Sequence, residues 1–200
     1  MKLSYTTINT CLQPTNSHNW LNRQMGRNIP ENPAFETGKR IHRIIQSDLS
    51  KFKIVHPNNY LVERQDRDDL TYFEFPLEGY TIIGYLDGYS ETDKSILEIK
   101  SGTKFWSIMD FVKSPQIGIY ALAHSNFTYA ICITALSDEL LWQIQPPKVY
   151  EVELTAKMRK DAKKYILDAI SLFEKGDFTG GLTDGKCIGW CNYGQNCFFK

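Results

Sequence analysis

Between Tyr80 and Gly102 the chain reads YTIIGYLDGYSETDKSILEIKSG, two β-patterned runs (Thr81–Tyr89 and Lys94–Ser101) joined by the turn-like SETD. Side chains alternate across a strand, so Glu98 and Lys100 share one face while Leu97 and Ile99 take the other. Asp87 lies near the end of the first run, closing its segment TIIGYLD, and the short connection can bring it alongside Glu98. Burying two acids and an ammonium on one patch is costly unless they pair or hold a metal. The sheet that forms here must therefore either expose this face as a solvated cross-strand ion pair or use it as a chemical centre.

The second alternative has a definite chemistry. Two carboxylates held close repel, and a divalent cation relieves that repulsion while gaining hard oxygen ligands. It also acidifies a bound water and polarises a phosphoryl oxygen. A neighbouring ammonium orients that water or offsets charge building in the transition state. Together these are the parts needed to hydrolyse a phosphodiester.

The rest of the pattern predicts a mixed α/β domain spanning residues 1–200, since no repeat or low-complexity linker divides the 200 residues. Ser4 is placed to cap a short first helix. A loop rich in proline and asparagine, GRNIPENPAF, precedes a helical stretch from Phe35 to Phe52 with Ile41, Ile45 and Leu49 four apart. Strands are predicted at Tyr60–Arg64, Leu70–Phe75, Phe127–Ala135 and Glu139–Gln145, besides the two already named. A weak helix is predicted at Lys104–Asp110, and a firmer one in SPQIGIYALAH, with Ser114 as cap and Pro115 in the first turn. Thr155–Phe173 reads as a long amphipathic helix.

The 23 basic and 23 acidic residues cancel, so a nucleic-acid partner would have to meet a local basic track. Candidates are Lys104, Lys113 and the cluster Lys157, Arg159, Lys160, Lys163 and Lys164, with Trp106 or Tyr89 as stacking rings. MKLSYTTINT lacks the apolar segment of a secretory signal, and no apolar run approaches the roughly 20 residues that span a bilayer. The expected location is cytoplasmic, away from membranes. In a reducing compartment five cysteines point to metal binding or isolated thiols. Cys187, Cys191 and Cys197 cluster near the end, Cys11 stands far upstream, and Cys132 lies in an apolar run as a small core residue. Four thiolates suit either zinc or an iron–sulfur cluster.

Four blocks occur in one order: G-x-x-x-H at Gly38–His42, G-x-x-D at Gly84–Asp87, E-x-K at Glu98–Lys100 and Q-x-x-x-Y at Gln116–Tyr120. This series resembles the RecB-like branch of the PD-(D/E)XK nuclease superfamily. The resemblance implies a restriction-endonuclease-like core, a mixed central β-sheet flanked by helices. It implies His42, Asp87, Glu98 and the carbonyl of Ile99 as ligands for magnesium or manganese, the histidine favouring manganese. Lys100 would position or activate the attacking water, with Gln116 and Tyr120 beside it.

The cysteines extend the likeness to the CRISPR-associated exonucleases of the Cas-four family, which carry one early and three late cysteines around a four-iron, four-sulfur cluster. That implies Cys11, Cys187, Cys191 and Cys197 as cluster ligands joining the two ends of the chain. The last interval, C-x5-C, matches the family, whereas the first is C-x3-C in place of C-x2-C. The implied activity is metal-dependent exonucleolytic cleavage of single-stranded DNA from the 5′ side, with endonuclease activity in some relatives. The implied setting is trimming of DNA before spacer acquisition, alongside other CRISPR adaptation proteins. A phage or mobile-element recombination nuclease, a restriction-type endonuclease and a non-catalytic iron–sulfur DNA-binding scaffold are the alternatives.

Overall fold

The computed structural model describes residues 1–12, 33–62 and 70–175, the side chains at 10, 11, 33, 35 and 173 excepted. In chain order these residues form β1 (Lys2–Ser4), α1 (Tyr5–Leu12), α2 (Pro33–Ser47), β2 (Leu61–Val62), β3 (Tyr72–Leu77), β4 (Tyr80–Tyr85), β5 (Gly88–Ser90) and β6 (Ser95–Gly102). They continue with α3 (Ile108–Val112), α4 (Pro115–Ala123), β7 (Tyr129–Leu136), β8 (Lys148–Glu153) and α5 (Ala156–Lys175). Their contacts resolve into two compact units, one of residues 1–12, 76–82 and 163–175 and one of 33–62, 70–75 and 83–162.

In the smaller unit Ser4 Oγ accepts the backbone N–H of Thr7 (3.2 Å), capping α1 as its sequence predicts. Thr81 N–H donates to the Met1 carbonyl (3.0 Å), so β1 borders the start of β4. Leu3, Ile8, Ile82, Ile166, Ala169 and Ile170 are buried there.

The larger unit is built on a five-stranded sheet in the order β2-β5-β6-β7-β8. The pairing is antiparallel except for β6 with β7, which run parallel over the whole of β6, from Ser95 opposite Tyr129 to Gly102 opposite Leu136. A parallel pair needs a crossover, and α3 and α4 supply it. Ser107 and Asp110 start α3 with a reciprocal capping box. Pro115 occupies the first turn of α4, where its missing N–H is harmless. Ser114 caps through its backbone, its carbonyl accepting Gly118 N–H, without a side-chain bond.

Leu97 and Ile99 of β6 and Ile131 and Ile133 of β7 turn to one sheet face, where Ile41 and Ile45 of α2 cover them. The opposite face carries Glu98 and Lys100 toward α4. Gly118 lets α4 approach α5 closely, because a Cβ there would lie 2.8 Å from Ala162 Cβ and 3.0 Å from the Met158 carbonyl.

Three local expectations are corrected. Glu139–Gln145 is not a strand: Asp138 accepts Leu140 N–H and starts a 3-10 turn at Glu139–Gln143, and the strand follows at Lys148–Glu153. The run Thr81–Tyr89 is broken at Leu86–Asp87, where the chain leaves β4 and enters β5. The weak helix begins later, at Ile108, because Ser107 rather than Lys104 provides its cap.

Candidate active site

The break after β4 releases Asp87 from ladder pairing and aims it between α2 and β6. Its Oδ1 lies 3.0 Å from His42 Nδ1, and its Oδ2 accepts the backbone N–H of Ile99 at 2.6 Å. Gln46, one helical turn after His42, donates through Nε2 to the Asp87 carbonyl (2.9 Å). Helical spacing therefore lets α2 hold both the side chain and the backbone of Asp87. Gln46 was missed in the sequence, although its position four after His42 is the signal that finds it.

Glu98 is 1% exposed on the central strand β6. Its Oε1 forms an ion pair with Lys100 Nζ (2.5 Å), and its Oε2 has no hydrogen-bond partner among the described residues. Burial raises its pKa to about 7; the Lys100 ammonium opposes that rise and the Asp87 carboxylate adds to it. For His42, burial disfavours the charged ring, but the hydrogen bond and charge of Asp87, helped by Glu98, lift it above the ordinary imidazole value. The three ligand candidates therefore feel one another's charge.

Lys100 Nζ also donates to Gln116 Oε1 (2.7 Å), Gln116 Nε2 donates to the Tyr120 hydroxyl (2.5 Å), and that hydroxyl donates to the Tyr85 carbonyl (3.0 Å). The Q-x-x-x-Y block thus forms a relay from the ammonium to the strand that delivers Asp87. Phe73 sets its edge against Tyr120 (5.5 Å between centroids) and covers Gly84, where a Cβ would fall 2.5 Å from the Phe73 ring. The glycine of G-x-x-D is required by that ring. Gly38 is not constrained in this way, its nearest neighbour being Ser101 Oγ at 3.6 Å.

Two carboxylates, an imidazole and a strand carbonyl suit a hard or borderline divalent cation, and the partnerless Glu98 oxygen is the kind of buried atom such an ion satisfies. The donor set fits. It is not assembled in advance: among the described residues no three His, Cys, Asp or Glu side chains already form a complete coordination group. Asp87 is occupied instead by His42 and Ile99 N–H, and Glu98 by Lys100.

Cys187, Cys191 and Cys197 lie outside the described residues, as does the side chain of Cys11. Cys132 is a buried free thiol opposite Glu98 on the parallel ladder, and burial pushes its pKa up. The proposed DNA contacts divide. Arg159 spends its guanidinium on the carbonyls of Ala121 (3.0 Å), Phe127 (2.6 Å) and Leu154, tying α4 to the strand ends. Lys157 pairs with Asp161, and Lys164 with Asp168 (2.6 Å). Tyr89 stacks among His124 and Phe127. Trp106 instead faces the site, with Lys100 Nζ 5.5 Å from its ring centroid.

Fold and site together define a mixed α/β protein with acids, an imidazole and an ammonium gathered at its central sheet. No family model matches the chain, and no curated protein sequence does. Among solved structures it is similar to that of SSO0001, with a TM-score of 0.62 and 15% identity over 100% of this chain and 87% of that one. It is also similar to LHK-Exo, an alkaline exonuclease from Laribacter hongkongensis, with a TM-score of 0.57 and 12% identity over 88% of this chain and 89% of that one. The complex of LHK-Exo with dAMP gives the same TM-score at 13% identity. Likeness at these identities establishes the fold. Among the described residues no helix is long and apolar enough to cross a membrane.

Proposed function

We infer that this chain is a divalent-metal-dependent deoxyribonuclease acting on DNA ends. The observation that carries the reading is a buried Glu98 carboxylate with one oxygen that no described residue satisfies, held beside Lys100 and within the field of Asp87 and His42. Most buried carboxylate oxygens in folded proteins have a partner, so a fully buried acid with an unmatched oxygen calls for a further ligand. The alkaline exonuclease activity named for LHK-Exo, and its complex with dAMP, support a nucleotide substrate on this fold.

His42, Asp87, Glu98 and the Ile99 carbonyl are the groups that would hold magnesium or manganese. Bound there, such an ion supplies a Lewis acid that acidifies water and offsets charge on the scissile phosphate. Gln116 fixes Lys100 toward Glu98, and Tyr120 fixes Gln116 through the Tyr85 backbone. Lys100 is thereby positioned to donate a hydrogen bond to the attacking water or a phosphate oxygen. His42 and the Ile99 N–H hold the Asp87 carboxylate in its rotamer, and Gln46 holds its backbone.

The finer reading is exonucleolytic trimming of single-stranded DNA from the 5′ side, of the CRISPR-associated kind, in the cytoplasm. A four-iron cluster on Cys11, Cys187, Cys191 and Cys197 belongs to the same reading, as does one domain over residues 1–200. Digestion of linear and closed circular single strands, end-labelled at either terminus and with manganese, tests the activity. Wild type should degrade only the linear strand, and Lys100→Ala should not. Equal cleavage by wild type and Lys100→Ala would remove the reading. Anaerobically purified protein should be brown and contain iron, and Cys191→Ala should lose both the colour and the iron.

A further inference from the structure

We propose that Tyr85, braced by Tyr72, is a base-stacking platform at the mouth of this site, so that the substrate strand is gripped through an unpaired base; the proposal rests on the nuclease reading above. Tyr85 is a large aromatic residue left 48% exposed, two positions before Asp87 and separated from it by the buried Leu86. Its backbone is not free, because the Tyr85 carbonyl accepts the Tyr120 hydroxyl that terminates the Lys100 relay. The residue that ends the relay is therefore the one that presents the ring.

The ring itself is held. Its centroid lies 5.3 Å from that of Tyr72 at 56°, and the Tyr72 hydroxyl donates to Glu74 (2.7 Å). On the buried side of the hairpin, Phe73 fills the space over Gly84 and butts against Tyr120, which fixes the strand that carries Tyr85. A fixed aromatic loses little freedom on binding, and stacking on it suits any base because every base has a π-face. Bases inside a duplex are already stacked, so the platform selects unpaired nucleotides. Tyr89 and Trp106 serve otherwise: Tyr89 stacks within its own cluster and Trp106 lies beneath Lys100.

The test measures binding of a fluorescently labelled oligo-dT, and of an abasic strand of equal length and charge, by anisotropy in calcium. Cleavage of the oligo-dT in manganese is measured in parallel. Stacking on one ring is worth enough that Tyr85→Ala should weaken oligo-dT binding about ten-fold and load its cleavage defect onto KM rather than kcat. Tyr85→Phe and Tyr85→Trp should restore binding, and affinity for the abasic strand should be the same in all four proteins. Thermal denaturation should show that Tyr85→Ala is folded. Wild type that cleaves oligo-dT, with Tyr85→Ala matching its Kd and KM, would overturn the platform and leave the nuclease reading standing. Wild type that neither binds nor cleaves would overturn both.

Discussion

Replacing Glu98 by glutamine should change how the stability of the metal-free protein depends on pH. Glu98 is 1% exposed, and its pKa is raised from the ordinary 4.5 to about 7 by burial, against the opposing pull of Lys100. The folded state therefore keeps a proton that the unfolded chain releases above 4.5. Stability from this group is fully present below 4.5 and is lost as pH rises to about 7. At about 1.4 kcal/mol per pH unit, the loss across that window is roughly 3 kcal/mol. His42, also raised, works in the same direction, its contribution present below the ordinary imidazole value and lost above the folded one. Glutamine cannot ionise, so the stability difference between wild type and Glu98→Gln should shift by roughly 3 kcal/mol in favour of the variant between pH 5 and pH 8. For a chain of this size that is about 6–12 °C in Tm. Urea titrations of chelator-treated protein at a series of pH values measure it. Manganese should restore wild-type stability at pH 8, have little effect at pH 5, and have none on Glu98→Gln, because the ion binds the ionised carboxylate. Parallel stability curves for the two proteins from pH 5 to pH 8 would refute the reasoning, since they would mean that Glu98 is either solvated or fully paired.

Asp87→Ala should abolish cleavage and also lower stability by about 1–3 kcal/mol, because Ile99 N–H loses its acceptor; Asp87→Asn should recover part of the stability and none of the activity. Gly84→Ala should cost about 1–3 kcal/mol by driving a methyl into the Phe73 ring, whereas Gly38→Ala, with 3.6 Å to Ser101 Oγ, should be neutral or stabilising; thermal denaturation separates the two. Gly118→Ala should be at least as damaging as Gly84→Ala, since the clash includes the Met158 carbonyl, which cannot rotate away. Arg159→Ala should destabilise by about 2–4 kcal/mol through its lost charged hydrogen bonds to carbonyls, and leave DNA affinity within two-fold of wild type.

The basic helix and the segment Glu139–Gln145 show where sequence pattern and spatial role part. A run such as KMRKDAKK is a charge pattern, and charge alone cannot distinguish a phosphate track from intrahelical pairs and a carbonyl clamp. Lys157 and Lys164 find aspartates four residues on, and Arg159 reaches across to α4. Likewise, ELLWQIQ has the apolar density of a strand, but Asp138 captures the Leu140 N–H and turns the chain into a 3-10 helix before β8 begins. Local side-chain bonds to backbone win there, where the segment pairs with no strand among the described residues.

The linear code sufficed for whatever depends on period and order. Alternation along Ser95–Gly102 set Glu98 and Lys100 on one face, and the fourfold spacing of Ile41 and Ile45 set the apolar stripe of α2. The Q-x-x-x-Y spacing put Gln116 and Tyr120 in one hydrogen-bonded line. Only tertiary structure decided that Asp87 is freed by a strand break and shared between His42 and Ile99 N–H, and that one Glu98 oxygen meets no partner among the described residues. It also decided that the relay ends on the carbonyl of an exposed tyrosine. Periodicity specifies the side on which a residue lies, but burial, partner satisfaction and proton affinity come from atoms supplied by distant parts of the chain.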